Sequence, residues 1–131
     1  MIGLDTNILV RYLIHDDAHQ TAASQRIIQS FSPEAPGFVS LVVLVELVWV
    51  LLTLYHFEKK EIESLLEALL RSKDLVVQQA ESVSQALRVY RSSRADFSDC
   101  LVERIDHAAG CQYTLTFDRD SAATAGMQLL V

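Results

Sequence analysis

The chain has 131 residues, half of them hydrophobic, and a formal net charge of −6 from 11 basic and 17 acidic residues. This length predicts a single domain over residues 1–131, and the hydrophobic fraction excludes a disordered chain. The acidic balance argues against a polycation that coats nucleic acid with a basic face, although a carboxylate-rich active site remains compatible with it.

The cysteines and the apolar stretches bear on the compartment. Cys100 and Cys111 match neither a metal-ligand spacing nor a disulfide framework, which is typical of reduced thiols. No basic, apolar leader is visible before Asp5. The longest apolar stretch, residues 41–55, contains Glu46 in its middle, and a bilayer tolerates such a charge badly. We therefore expect a cytoplasmic protein that does not cross a membrane.

The predicted elements alternate between strands and helices along the chain. Short apolar or β-branched runs predict strands at residues 2–4, 38–39, 75–77, 113–117 and 129–131. Helical spacing predicts helices over residues 7–14, 18–31, 41–55, 58–73, 80–94 and 99–109. Ser40 and Ser98 are the expected N-caps of two of them, and Gly110 is the expected stop. The alternation predicts an α/β/α sandwich with a central, mostly parallel sheet.

Four acids stand out by their positions in these elements. Asp5 and Asp118 each follow a strand, and the carboxyl ends of parallel strands are where open α/β folds bind ligands. Glu46 lies in the middle of an apolar helix, and Asp99 opens another helix. Each also has a structural explanation: an N-cap for Asp5, a solvated helix strip for Glu46, the helix dipole for Asp99 and a turn for Asp118.

Together the four acids predict a divalent-metal site. Carboxylates gathered at one sheet edge repel one another unless cations neutralise them, and Mg²⁺ and Mn²⁺ prefer such oxygen ligands. The four histidines show no zinc-ligand spacing. Asp120, two residues beyond Asp118, is an alternative fourth acid. Arg88, Arg91 and Arg94 recur every third residue before Asp96, and this stripe either binds phosphate groups or is a solvated helix face. Arg11 and Arg119, near two of the acids, are further candidates for binding a phosphate group.

Four stretches of the chain, residues 3–9, 45–47, 95–102 and 110–119, carry a resemblance to a known family. The first reads Gly-Leu-Asp-Thr-Asn-Ile-Leu and the last contains Thr-Phe-Asp-Arg. In these stretches the chain resembles PIN-domain ribonucleases, and in particular the VapC toxins of bacterial toxin–antitoxin pairs. The resemblance implies a metal-dependent endoribonuclease that uses Mg²⁺, or Mn²⁺ in its place. It also implies a cognate antitoxin whose peptide occupies the acidic cleft.

The resemblance assigns roles to individual residues. It implies catalytic, metal-binding roles for Asp5, Glu46 and Asp99, with Asp118 as a more variable fourth acid. By the resemblance, Asn7 or Thr6 helps to orient Asp5, and Asp96 is an additional acid near the site. The candidate substrate-binding residues are Asn7, Asp96, Arg94 and Arg119. An excess of apolar residues in the third and fourth helices predicts a homodimer formed through them.

Three other functions fit parts of the pattern. A haloacid-dehalogenase-like phosphatase needs a second aspartate two residues after the first, where this chain has Asn7. A receiver-type module needs a lysine at a late strand end, and residues 113–118 contain none. A PIN-like scaffold that binds a protein partner without nuclease activity is the third alternative, and the retained acids argue against it.

Overall fold

The computed structural model describes all residues, 1–131, as two compact units, Met1–Gln78 and Gln79–Val131. Both units combine helices with parallel strands, so the predicted α/β class is confirmed. The strands fall into two sheets, one in each unit. The extent of the domain over residues 1–131 stays a prediction.

The first unit is built on a three-stranded parallel sheet in the order β1–β2–β3. Ile2 is in register with Gly37, and Phe38 with Val76. Parallel neighbours require long crossover connections, and here each crossover contains two helices. The elements in chain order are β1 (Ile2–Gly3), α1 (Thr6–Leu13), α2 (Ala18–Gln29), β2 (Gly37–Val39), α3 (Leu41–Thr53), α4 (Lys59–Arg71) and β3 (Leu75–Val77).

The carboxyl edge of this sheet is where its helices begin. The Ser40 hydroxyl accepts a hydrogen bond from the Val43 amide at 3.2 Å, so the predicted N-cap of α3 is confirmed. The Gln78 side chain, just past β3, accepts from the Leu41 amide at 2.9 Å and satisfies a second amide in the first turn of α3. These two bonds fix the start of α3 at the sheet edge that also carries Asp5.

The core of the first unit lies under α3 and α4. Leu44, Leu47 and Leu51 of α3 are fully buried, as is Ile62 of α4. Helix α2 buries none of its apolar residues. It buries Thr21 and Ser24, while Ala23 is exposed. The buried residues of α4, namely Ile62, Leu66 and Leu69, are therefore part of the core, whereas the buried residues of α2 are small and polar.

The second unit contains α5 (Ala80–Ser92), α6 (Phe97–Ala108), β4 (Leu115–Thr116), α7 (Arg119–Thr124) and β5 (Gln128–Leu129). Strands β4 and β5 pair in parallel. Three predictions were wrong in detail. The α6 helix begins two residues earlier than expected, with Asp96 rather than Ser98 at its N-cap position. Strand β4 is only two residues long, and α7 was not predicted at all.

Helices α5 and α6 share an apolar core. The rings of Tyr90 and Phe97 meet edge to face, with centroids 5.7 Å apart. Phe97, Cys100 and Leu101 are buried on α6. Gly110 adopts a positive φ of 97° two residues past the end of α6, which confirms it as the helix stop.

The helices of both units are short. None combines the length and the apolar character that a bilayer crossing demands.

Candidate functional site

Asp5 serves both as a helix cap and as a candidate ligand. Its Oδ1 accepts a hydrogen bond from the Thr6 amide at 2.7 Å, which makes it the N-cap of α1. The structural explanation for Asp5 is thus correct. The second carboxylate oxygen, Oδ2, makes no hydrogen bond or ion pair, so one oxygen of Asp5 remains available for a ligand.

Asp5 and Glu46 line one cleft of the first unit, which we call the Asp5 cleft. Its volume is about 460 Å³, and its other lining residues are Thr6, Asn7, Val10, Arg11, Val50 and Tyr55. Glu46 is exposed to solvent, so it lies on the solvated strip of an otherwise apolar helix. Because Glu46 is exposed, the fold does not incur the free-energy cost of burying its charge. The structure does bring two of the four predicted acids, and the predicted Asn7, to the same cleft.

A buried hydroxyl lies next to Asp5 in this cleft. Thr6 is only 5% exposed, and its Oγ1 has no hydrogen-bond partner. Leaving a buried hydroxyl unpaired costs on the order of 1–3 kcal/mol. Such a group in the wall of a ligand-sized cleft is what a site that binds a polar ligand or water would contain.

Arg11 is the basic residue of the Asp5 cleft, and its guanidinium is held by its neighbours. Nε donates to Gln20 Oε1 at 2.6 Å, and Nη1 donates to Asp16 Oδ1 at 2.9 Å. A hydrogen bond with the Tyr55 side chain raises the pKa of Arg11 above its ordinary value. The Tyr55 hydroxyl also lies 3.4 Å from Asp16 Oδ2. The Asp5 cleft is thus lined by the guanidinium of Arg11, held in place by its partners, and by the carboxylates of Asp5 and Glu46.

In the second unit, Asp96, Asp99 and Asp118 form a group of interacting carboxylates, which we call the Asp99 cluster. Burial raises the pKa of Asp99 above its ordinary value, and the charges of Asp96 and Asp118 raise it further. No basic side chain pairs with any of the three. Asp96 is at the N-cap position of α6 without using its side chain for capping. The cluster therefore carries uncompensated negative charge.

The structure distinguishes the two candidates for the fourth acid. Asp118 Oδ1 accepts from the amides of Asp120 and Ser121 at 2.8 and 3.2 Å, as the N-cap of α7, and its Oδ2 has no partner. Asp120 instead pairs with Arg94, at 3.0 Å between Nε and Oδ1. Because Asp120 is neutralised and Asp118 interacts with Asp99, Asp118 is the better candidate.

Ser121 is a residue of this cluster that the sequence did not indicate. It is fully buried and faces the Asp99 carboxylate, where it opposes the rise in the pKa of Asp99. The two groups do not reach the geometry of a formed hydrogen bond, so Ser121 Oγ is left without a partner. The only signal in the sequence is its place three residues after Asp118, the position at which an N-cap contacts the helix. Tyr55, which lines the Asp5 cleft, was likewise not identified as a site residue from the sequence.

The remaining charged residues of the second unit differ in whether they form ion pairs. Arg94 pairs with Asp120, although its side chain is 65% exposed. Arg119 is exposed at the start of α7 and forms no ion pair, so it stays a candidate for phosphate binding. Glu103 and Arg104, which follow Asp99 on α6, pair with each other at 2.7 Å and add no net charge.

The donor set of each unit is suited to a hard cation. Within neither unit do three His, Cys, Asp or Glu side chains lie close enough together to hold a metal ion by themselves. Mg²⁺ needs less than that, because it usually keeps several waters and is held by one or two carboxylates plus substrate phosphates. Asp5 and Asp118 each retain a free Oδ2, and the hydroxyls of Thr6 and Ser121 are buried without a partner. These oxygen groups fit Mg²⁺ or Mn²⁺ and do not fit zinc.

Comparison with known proteins adds the family. No individual curated protein matches the chain. The model of the PIN domain family matches residues 2–127, which cover nearly all of both units and contain the residues of the Asp5 cleft and of the Asp99 cluster. PIN domains have a nuclease-type fold, and this match covers nearly the whole chain. The chain therefore belongs to the PIN domain family.

Proposed function

We propose that this protein is a Mg²⁺-dependent endoribonuclease that acts as the toxin of a type II toxin–antitoxin pair. The observation that carries the nuclease proposal is the Asp99 cluster. Asp99 is partly buried beside two other carboxylates, its pKa is raised, and no basic side chain compensates it. Folding such a group without a cation costs stability, and functional sites are where this cost is tolerated.

The residues that would hold the cation are Asp5, Asp99 and Asp118, with Glu46 as an outer ligand. Asp5 and Asp118 each offer one carboxylate oxygen, since the other caps a helix. A bound Mg²⁺ or Mn²⁺ supplies activation of a water molecule and neutralisation of charge on the scissile phosphate.

The chain's own side chains have distinct tasks in this hydrolysis. Glu46 is exposed in the Asp5 cleft, where its carboxylate can orient the attacking water and accept its proton. Arg11 and Arg119 present guanidinium groups that bind phosphate oxygens. Asn7, in the same cleft as Asp5, has an amide that can hydrogen-bond the substrate. No side chain has to act as a covalent nucleophile.

Cleavage of RNA by the purified protein tests the nuclease proposal. We expect single-stranded RNA to be cut with Mg²⁺ or Mn²⁺ and to remain intact with EDTA, because metal removal leaves the carboxylates without their cation. Asp5→Asn is the matched variant, since asparagine keeps the N-cap of α1 while removing the charge. It should cut RNA at least about 100-fold more slowly than the wild type. Gel analysis of end-labelled RNA measures both effects.

Two outcomes bear directly on this proposal. Cleavage that persists in EDTA and in Asp5→Asn would exclude the carboxylate–metal mechanism. Cleavage of single-stranded DNA at the same rate as RNA would contradict the ribonuclease assignment while leaving a metal-dependent nuclease. Circular dichroism of Asp5→Asn controls for folding.

The toxin proposal rests on charge and on exposed apolar surface. The chain carries a net charge of −6, so a cognate antitoxin would present a basic peptide to the Asp5 cleft. Trp49 and Leu54 are exposed at the carboxyl end of α3, 59% and 62% respectively. Exposed apolar residues are typical of an interface, and we propose a homodimer through this end of α3.

Expression and mass measurements test the toxin proposal. Induced expression should arrest growth of the host, and co-expression of a small upstream reading frame should relieve the arrest. Light scattering should give twice the chain mass of 14.7 kDa for the protein alone. Trp49→Glu should reduce this to one chain mass, because it places a charge in the apolar contact. Growth that continues during expression of an active nuclease would argue for a housekeeping enzyme.

A scaffold without nuclease activity is the second candidate function. This function would be supported if the purified protein bound a protein partner but cut no RNA with Mg²⁺ or with Mn²⁺. The uncompensated Asp99 cluster argues against it, because a scaffold has no use for the destabilising carboxylates.

A further inference from the structure

A second pocket of the first unit adjoins the Asp5 cleft. It lies between α1 and α2, has a volume of about 270 Å³, and shares Asn7 and Arg11 with the cleft. The two cavities are therefore adjacent at these residues of α1, and we refer to the pair as the groove. We call the second cavity the α1–α2 pocket.

We propose that the α1–α2 pocket binds one base of the RNA strand, and that Arg11 binds the phosphate that joins this nucleotide to the one in the Asp5 cleft. The proposal rests on the proposed nuclease function and specifies how its substrate is recognised. It assigns a base-binding subsite to a pocket whose remaining residues have no task in the hydrolysis.

The walls of the α1–α2 pocket match the two kinds of surface on a base. Ile8, Ala23 and Ile27 provide apolar contact for the faces of a planar ring. Gln20 provides polar atoms for its edge, since its Oε1 is engaged by Arg11 and its amide N–H groups remain available. A small apolar cavity with a few polar groups is the usual form of a site for a planar ligand. The pocket has room for one base and not for a folded peptide.

Arg11 is placed and pre-oriented for a phosphate between the two cavities. A guanidinium has five N–H donors, and Gln20 and Asp16 engage two of them. At least two donors therefore remain for the groove, into whose two cavities Arg11 extends. Because its partners already fix the side chain, less conformational entropy is lost when a phosphate binds.

Filling the pocket tests the base-binding part of the proposal. Ala23 is exposed and lines the pocket, so Ala23→Phe places a ring in the cavity without disturbing the core. Binding of labelled oligouridylate, oligoadenylate and a base-free ribose-phosphate chain is measured by fluorescence anisotropy, with Ca²⁺ in place of Mg²⁺. We expect Kd for the oligonucleotides to rise about tenfold, which corresponds to the loss of about 1.4 kcal/mol when one base no longer has its site. Kd for the base-free chain should not change. Ala108→Phe, at an exposed position at the end of α6, is the matched control.

The salt dependence of binding tests the role of Arg11. Arg11→Gln should weaken binding of all three probes, and should reduce the slope of log K against log salt by about 0.7, the value for one phosphate contact on a single strand. Asp16→Asn breaks the same ion pair but keeps the arginine, so it should leave the slope unchanged. Arg26→Gln, an exposed position on α2 outside the pocket, is the charge-matched control.

The possible results separate the proposal from the function on which it rests. If the wild type cuts RNA but Ala23→Phe binds the oligonucleotides normally, the base-binding subsite is wrong and the nuclease stands. Equal changes in slope for Arg11→Gln and Asp16→Asn would show that Arg11 only holds the fold. A wild type that neither binds nor cuts RNA would overturn both the subsite and the proposed function.

Discussion

Asp99→Asn is expected to lower the rate of RNA cleavage by roughly 100- to 1,000-fold while the protein stays folded. Asparagine has almost the same shape as aspartate but carries no charge, so the variant removes one ligand of the proposed cation. Single-turnover cleavage of labelled RNA with Mg²⁺ measures the loss. A variant that retained more than about a tenth of the wild-type rate would remove Asp99 from the catalytic group.

The same substitution is expected to stabilise the metal-free protein at neutral pH. The pKa of Asp99 is raised above its ordinary value of 3.8, chiefly by burial and then by the charge of Asp96. The folded state thus holds the proton more tightly than the unfolded chain, so stability falls as pH rises from 3.8 through the folded pKa. Asp99→Asn lacks this loss. Urea unfolding in EDTA should show the variant to be more stable at pH 7 and equal to the wild type below about pH 3.8.

The neighbouring acids provide matched controls for Asp99→Asn. Asp118→Asn keeps the N-cap of α7 and should also lower cleavage strongly. Asp120→Asn only breaks the exposed ion pair with Arg94, and such pairs contribute little to stability. The RNA-cleavage activity of this variant should therefore stay within a few-fold of the wild type. The opposite order of effects would identify Asp120 as the fourth acid.

Phe97→Ala is expected to lower the free energy of unfolding by about 3–5 kcal/mol. Phe97 is 1% exposed at the start of α6, and its ring packs edge to face against Tyr90 of α5. Its removal leaves a cavity between the two helices of the second unit. Because Phe97 is two residues before Asp99, the variant should also make the position of the Asp99 carboxylate less fixed. The rate of RNA cleavage should then fall as well.

Chemical denaturation followed by circular dichroism measures this destabilisation. Val102→Ala is the control on the same helix. Val102 is 44% exposed, so its truncation should cost no more than about 0.5 kcal/mol. A loss below about 1 kcal/mol for Phe97→Ala would show that the packing of α5 against α6 contributes little to stability.

The local patterns of the sequence were sufficient to locate most elements and acids. Regular helical spacing located six of the seven helices, and Ser40 and Gly110 act as the predicted cap and stop. The six-residue α7 was missed because one and a half turns are too few to show a helical period. The start of α6 was misplaced because Asp96, Ser98 and Asp99 are all favourable at a helix start.

Burial and pairing followed less directly from the sequence. Glu46 has apolar neighbours in sequence on both sides, yet it is solvent-exposed, because the exposed face of α3 also carries Val42 and Trp49. Arg94 and Asp120 are 26 residues apart, and their ion pair depends on how the chain returns on itself. Ser121 gave no functional signal, since a small hydroxyl residue in a helix is compatible with many environments.

The sequence by itself determined the class of fold, the positions of the acids at strand and helix ends, and the chemistry that such oxygen ligands support. Periodicity and capping act between residues close in the chain, so they can be deduced from the order of the residues. Only the tertiary structure decided that Asp118 rather than Asp120 interacts with Asp99, that Ser121 lies beside it, and that Arg11 joins two cavities. Those relations depend on distances between residues remote in the chain, which packing fixes and local sequence does not.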